Sequence, residues 1–206
     1  MERKCFANRL LPLFVGMLLT ACSSQQSVIG WPQLREGDLL FHVVEKGNAI
    51  TDVTPGMIDH VAIYLGDHRV VEAVSRGVVV TPLDSLVSQQ GHYVVGRVRQ
   101  VDAKASISGA MSYLGRAYDW VYLYDNDEIY CSELVEHAYV DKRGRKIFIP
   151  IPMTFNDSTG LVTPYWEKYY YDRHMAVPVG QPGTNPGEMS ARPCVKLLGP
   201  LAPQKE

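Results

Sequence analysis

Between residues 39 and 98 the chain holds a series of short apolar runs that are too short for helices and mostly too close together for crossovers. They are Leu39–Val44, Val61–Leu65, Arg69–Val74, Gly77–Pro82 and Tyr93–Val98. Parallel neighbours need a connection of a dozen or more residues, whereas Gly66-Asp67-His68 leaves room only for an antiparallel return. Leu83 to Gln89 reads as a short helix between the last two runs. From Asp102 the period changes. Ala105 to Leu114 is helical, closed by Gly115 as a C-cap, and after Cys131 apolar residues recur at Leu134, Val135 and Ala138. Strands followed by helices predict an α+β fold, with an antiparallel sheet or partial barrel packed against helices.

The 206 residues suffice for one domain, and a net charge of −2 gives no electrostatic case for nucleic acid. Residues 1–21 read as a signal peptide rather than as part of the fold. Arg3, Lys4 and Arg9 form a positive start, and the apolar run Leu10–Leu19 is too short to span a bilayer. Leu18-Leu19-Thr20-Ala21-Cys22 resembles the lipobox of bacterial lipoproteins, which implies cleavage before Cys22 and lipidation of that residue. Several acyl chains together would anchor an otherwise soluble domain in a membrane. If the cell is Gram-negative, Ser23 implies, by the sorting rules of such lipoproteins, an outer membrane facing the periplasm. The expected organisation is a tether over 22–33 and a domain over 34–206, whose last part, about 141–206, is an irregular aromatic- and Pro-rich wrap. Removing residues 1–21 leaves 17 basic and 21 acidic residues, so lipid rather than charge would hold the protein at an anionic surface. Cys131 and Cys194 then remain as thiols. A structural reading pairs them and a catalytic reading keeps Cys131 free.

Cys131 opens a buried helix, with Asp125, Asn126, Asp127 and Glu128 upstream where caps and first-turn acids belong. A thiol there is either a small buried residue or a nucleophile favoured by the helix dipole. A nucleophile needs a base, and the base an orienting partner. His137 is six residues along the same helix and falls on another face. His68 sits in a turn, His42 within an apolar strand, and His92 and His174 lack a readable polar partner. His60 begins a strand whose hairpin mate carries Glu72. With a three-residue loop at 66–68, His60 and Glu72 share a face as diagonal neighbours; a two-residue loop puts Glu72 on the opposite face.

Gly37-Asp38-Leu39-Leu40-Phe41 and His60-Val61-Ala62-Ile63-Tyr64-Leu65-Gly66 resemble segments of the NlpC/P60 papain-like cysteine peptidases, whose catalytic His begins an H-V-x-I-Y-x-G strand. Leu114-Gly115-Arg116-Ala117-Tyr118-Asp119-Trp120 and Tyr130-Cys131-Ser132-Glu133-Leu134-Val135 are similar to that family's L-G-x-x-Y-x-W and C-S-x-L-V segments. Here the His block precedes the Cys block. That order resembles the circularly permuted branch, the YiiX/YebB-like (YaeF-type) envelope proteins and, more distantly, lecithin:retinol acyltransferases. The resemblance implies Cys131 as nucleophile, His60 as base and Glu72 as third member, with Tyr118 and Tyr130 lining the substrate. Glu133 departs from the family's Gly after C-S, so the peptidoglycan specificity of the ordinary family does not carry over.

The expectation is therefore a lipid-anchored envelope cysteine hydrolase of amidase or esterase type, with acyl transfer as a variant. Its substrate would be an acyl- or amide-containing envelope molecule. The tail aromatics Phe155, Tyr165, Trp166 and Tyr169–Tyr171 are candidate walls of its pocket. Two rivals are a peptidoglycan endopeptidase and a non-catalytic ligand-binding lipoprotein. The sequence carries no metal or nucleotide motif, so no cofactor is expected.

Overall fold

Short turns fold the first half of the chain into antiparallel strands: β1 (Leu39–Val43), β2 (Ile58–Gly66), β3 (Arg69–Val74), β4 (Gly77–Pro82) and, after the short helix α1 (Leu83–Val87), β5 (His92–Val98). The computed structural model describes residues 27–45, 47, 51, 57–88, 91–157 and 159–203. The expected signal peptide, Cys22 and the start of the tether lie outside the described residues, as does much of the β1–β2 connection. Two helices follow, α2 (Ala103–Met111) and α3 (Cys131–Ala138).

The last third is more ordered than the expected irregular wrap. It contains β6 (Ile151–Pro152), α4 (Pro164–Tyr171), β7 (Pro182–Gly183), α5 (Pro186–Ala191) and β8 (Val195–Pro200). β8 joins the main sheet, whose order is β4-β3-β2-β1-β5-β8. The sheet is open, with β4 and β8 as its edges, and not a barrel. Lys196, Gly199 and Pro200 hide β8 from a propensity reading. A proline can end an edge strand, where its missing N–H costs no ladder bond.

Both faces of the sheet are covered, which is why its strands read as continuous apolar runs instead of alternating ones. Leu39, Phe41, Val61, Ile63, Val71 and Ala73 point into the core shared with α2 and α3, where Leu134, Val135 and Ala138 are buried. Leu40, Ala62, Tyr64, Val70 and Val95 point the other way, onto α1 and the N-terminal segment. Each such aliphatic side chain contributes roughly 1.5–3 kcal/mol by leaving water.

The expected tether is partly packed. Ile29 is buried and bridges Leu201, and Trp31, in a 3₁₀ turn over Trp31–Gln33, donates from Nε1 to the Ala202 carbonyl at 2.9 Å. Cys131 and Cys194 are both free thiols. Among the described residues no helix is long and apolar enough to cross a membrane.

Candidate active site

The hairpin that carries His60 is built differently from the three-residue loop expected, yet reaches the same register. Asp67 and His68 both have positive φ (48° and 53°), as a two-residue hairpin turn requires. Alone, that turn would put Glu72 on the wrong face. A bulge between Tyr64 and Gly66 adds one residue to β2 and restores the parity, with Ile63 opposite Val71. His60 and Glu72 therefore project from the same face. His60 Nε2 meets Glu72 Oε2 at 2.8 Å, and Thr81 on β4 donates to Glu72 Oε1 at 2.5 Å.

These contacts set the charges. Burial disfavours a charged Glu72, but the His60 hydrogen bond and charge, with help from Thr81 and Arg76, outweigh it and hold the carboxyl below its ordinary range. Burial likewise pulls His60 down. The hydrogen bonds and charges of Cys131 and Glu72 prevail, and His60 is raised to about 10. With Nε2 held by Glu72, Nδ1 is the ring nitrogen left for Cys131.

Cys131 is the first residue of α3 and follows Tyr130, the extended N-cap. The upstream acids do not cap this helix, contrary to the expectation for Asp125–Glu128. The helix is fastened by its own third residue. Glu133 Oε1 accepts from the Asp125 amide at 2.9 Å and Oε2 from the Tyr130 amide at 3.4 Å. Glu133 is fully buried, and burial lifts its carboxyl to about 7 against those two amides. Its departure from Gly thus serves to tie the loop over residues 119–130 to the helix. His137, as expected, is turned elsewhere, toward Tyr113 and Glu136.

The segment carrying Tyr118 is tied to β4 as well. The Arg116 carbonyl accepts from the Val78 amide and the Gly115 amide donates to the Val78 carbonyl, both at 2.9 Å. This approach needs Gly77, where a Cβ would stand 2.5 Å from the Arg116 oxygen. Tyr118 and Ile129 then form a parallel bridge that delivers the chain to Cys131.

Beside Cys131 lies a narrow pocket with a free volume of about 40 Å³. Its ring walls are Tyr118, Tyr122, Tyr130, Phe155 and Trp166. The two expected lining residues, Tyr118 and Tyr130, are among them, and so are two of the tail aromatics. Tyr165, Tyr169 and Tyr170 pack around Trp166, outside the lining, and Tyr171 is exposed. Ser132 and Thr184 also line it, their hydroxyls paired at 2.8 Å, and the Thr184 amide donates to the Tyr130 hydroxyl at 2.9 Å. Burial, with the charge of Cys131 nearby, pushes the phenols of Tyr118, Tyr122 and Tyr130 up, so the walls stay neutral.

Sequence reasoning missed several lining residues, among them Asp59. It is the extra residue in a bulge where His42 pairs with His60 but Val43 pairs with Ile58. Asp59 Oδ1 holds His42 Nδ1 at 2.7 Å. Adjacency to His60 was the available signal, but alternation along a strand predicts that neighbours point apart, and the bulge breaks that rule. Tyr122, Met153 and Thr184 are brought in by long-range packing, which leaves no local mark.

Comparison with known proteins speaks to family and fold. The family described as permuted papain-like amidase enzymes, YaeF/YiiX, C92 family, matches residues 33–199. The uncharacterized protein YiiX of Escherichia coli K12 is 29% identical over 151 residues, which cover 68% of this chain and 70% of that one. The crystal structure of YiiX from Escherichia coli O157:H7, described as a metalloprotein, superposes with a TM-score of 0.68 at 23% identity, covering 81% of this chain and 97% of the other.

Proposed function

Since the chain belongs to the permuted papain-like amidases of the YaeF/YiiX, C92 family, and so to a cysteine hydrolase lineage, we propose that it is a cell-envelope hydrolase acting through Cys131, His60 and Glu72. The observation that carries this reading is the pair formed by His60 and Glu72 at 2.8 Å, with Cys131 as the other partner of the imidazole. The Cys131 sulfur attacks the carbonyl carbon of an amide or ester. The main-chain N–H of Cys131, at the positive end of α3, faces the oxyanion. His60 gives its proton to the leaving amine or alcohol as the carbon–heteroatom bond breaks. Water then attacks the acyl-enzyme, His60 takes up its proton, and the acid product leaves with Cys131 regenerated. An alcohol or amine in place of water makes the same cycle an acyl transfer. Glu72 fixes the ring and favours the imidazolium.

Lipidation of Cys22 would hold this site at the outer membrane, on the periplasmic side, close to acyl- and amide-linked envelope molecules. YiiX is described as a metalloprotein, but among the described residues of this chain no group of three His, Cys, Asp or Glu side chains is placed to hold a metal ion, and no step here is routed through one. The test is labelling of the purified protein by an electrophilic acyl probe, followed by intact mass. Wild type should acquire one acyl group, on Cys131, and His60→Ala should lose most of that rate. Equal labelling of the two would refute the reading.

A further inference from the structure

Charge is unevenly spread over this chain. Past the last turn of α3, at the other end of that helix from Cys131, two hollows adjoin. One has a free volume of about 470 Å³, with Arg99 and Lys146 in its walls. The other has about 360 Å³, with Lys142 and Arg143. Gln100, Asp141 and Arg145 line both, so the two form one groove. Its five basic residues and one acid sum to +4, against −2 for the whole chain and hence −6 for the rest.

The acid is already occupied. Asp141 Oδ2 accepts from Arg145 Nε and Nη2 at 2.8 and 2.7 Å, and Oδ1 accepts from the Arg143 and Arg145 amides. Lys146 Nζ donates to the Glu136 and His137 carbonyls at the end of α3, with Glu136 Oε1 at 3.7 Å. Among the described residues, the side chains of Arg99, Lys142 and Arg143 have no ion pair or hydrogen bond. Elsewhere Arg69, Arg97, Lys168 and Arg192 each sit on a carboxylate. A lone surface cation is simply solvated, but a cleft lined by one sign of charge focuses its field on what enters. The backbone of the groove is also set in advance. Val101 bridges Asp141, Val140 bridges Lys146, and the Arg99 amide donates to the Cys194 carbonyl at 2.8 Å. A frame held in this way lowers the ordering cost of binding.

We propose that this groove binds a ligand carrying at least two phosphoryl groups, soluble or in a lipid headgroup. Each hollow offers one arginine and one lysine of its own, Arg99 with Lys146 and Arg143 with Lys142, and shares Arg145. The planar arginine fork meets phosphate through two parallel bonds, and lysine adds a point charge. A phosphoryl group brings up to two charges and three acceptor oxygens to such a set, where a carboxylate brings one charge and two oxygens. The eight residues of α3, about 12 Å of helix, separate the groove from Cys131. The site is therefore distinct from the hydrolase pocket and stands whether or not that reading holds.

The experiment is calorimetric titration of the full protein with tripolyphosphate, orthophosphate and tricarballylate, at low ionic strength where charges are least screened. Tripolyphosphate should bind at least about tenfold more tightly than either of the others. Lys142→Gln combined with Arg143→Gln empties one hollow of its own cations and should bring tripolyphosphate within about threefold of orthophosphate. Arg99→Gln should weaken both phosphates, and Arg69→Gln, on β3, should change neither. Equal affinity for tripolyphosphate and tricarballylate, or tripolyphosphate binding that neither groove variant weakens, would overturn the site. Competition then assigns the source. Phosphatidylcholine vesicles containing cardiolipin, whose headgroup has two phosphates, should displace tripolyphosphate if the ligand is a lipid. Binding that such vesicles leave intact makes the ligand a soluble one. Acyl-probe labelling of Cys131 should be the same in all these variants, so failure of the groove and failure of the hydrolase reading are told apart.

Discussion

Glu72→Gln isolates what the carboxylate adds to His60. The substitution keeps shape and an acceptor oxygen but removes the charge, at a side chain only 2% exposed and 2.8 Å from the ring. An opposite charge at this range shifts a pKa by about 1–3 units, each worth about 1.4 kcal/mol. His60 is raised to about 10 in the wild type, and removing one of its two supports should lower it by that amount. The alkaline limb of acylation should then move down by about 1–3 pH units, since the imidazolium is the form that protonates the leaving group. A histidine raised from 6.5 stabilises the fold fully below 6.5, and that contribution is lost as pH rises through about 10. Wild type minus Glu72→Gln should therefore give a stability difference that shrinks from neutral pH toward pH 10. The assay is the rate of acyl-probe labelling between pH 5 and 10, with urea unfolding on the same samples. A variant that labels within threefold of wild type at pH 7, with its alkaline limb unmoved, would sink the assignment of Glu72.

Gly77→Ala should destabilise by about 1–3 kcal/mol from its φ of +96° alone, and by more through the 2.5 Å approach to the Arg116 carbonyl. Thermal unfolding reads the loss, and acyl-probe labelling should slow because the Tyr118 segment is displaced; Gly115→Ala, strained at φ +83° but with open space around it, is the milder control. Glu133, raised from 4.5 to about 7, should make the fold less stable as pH rises from 4.5 to 7, by on the order of 3 kcal/mol. Glu133→Gln should flatten that part of the pH–stability curve, and an unchanged slope would place the titration elsewhere.

What could be read from the chain was whatever the backbone advertises locally. The runs of β1 to β5 announced themselves through β-branched residues and short turns, and α3 through its apolar spacing. The pairing of His60 with Glu72 was legible only conditionally, because it depends on loop length plus bulge, and the bulge at Leu65 has no residue signature. β8 was invisible for the opposite reason: its glycine and proline argue for a loop, and only the open edge of β5 makes it a strand. Glu133 is a similar case. A buried carboxylate at the third helical position reads as a surface acid until the 119–130 loop folds over it and supplies two amides.

Ile29 and Leu201 lie side by side. The Ile29 amide donates to the Pro200 carbonyl and the Ala202 amide to the Ile29 carbonyl, each at 2.8 Å. The two ends of the packed region thus meet at one edge of the sheet, and a short loop could join them without moving any strand. Opened at Gln100 instead, an exposed left-handed residue between β5 and α2, the same closed ring would run nucleophile first and histidine second. In that sense the order of the two blocks records only where a continuous loop of chain is cut, and the chemistry is indifferent to the cut.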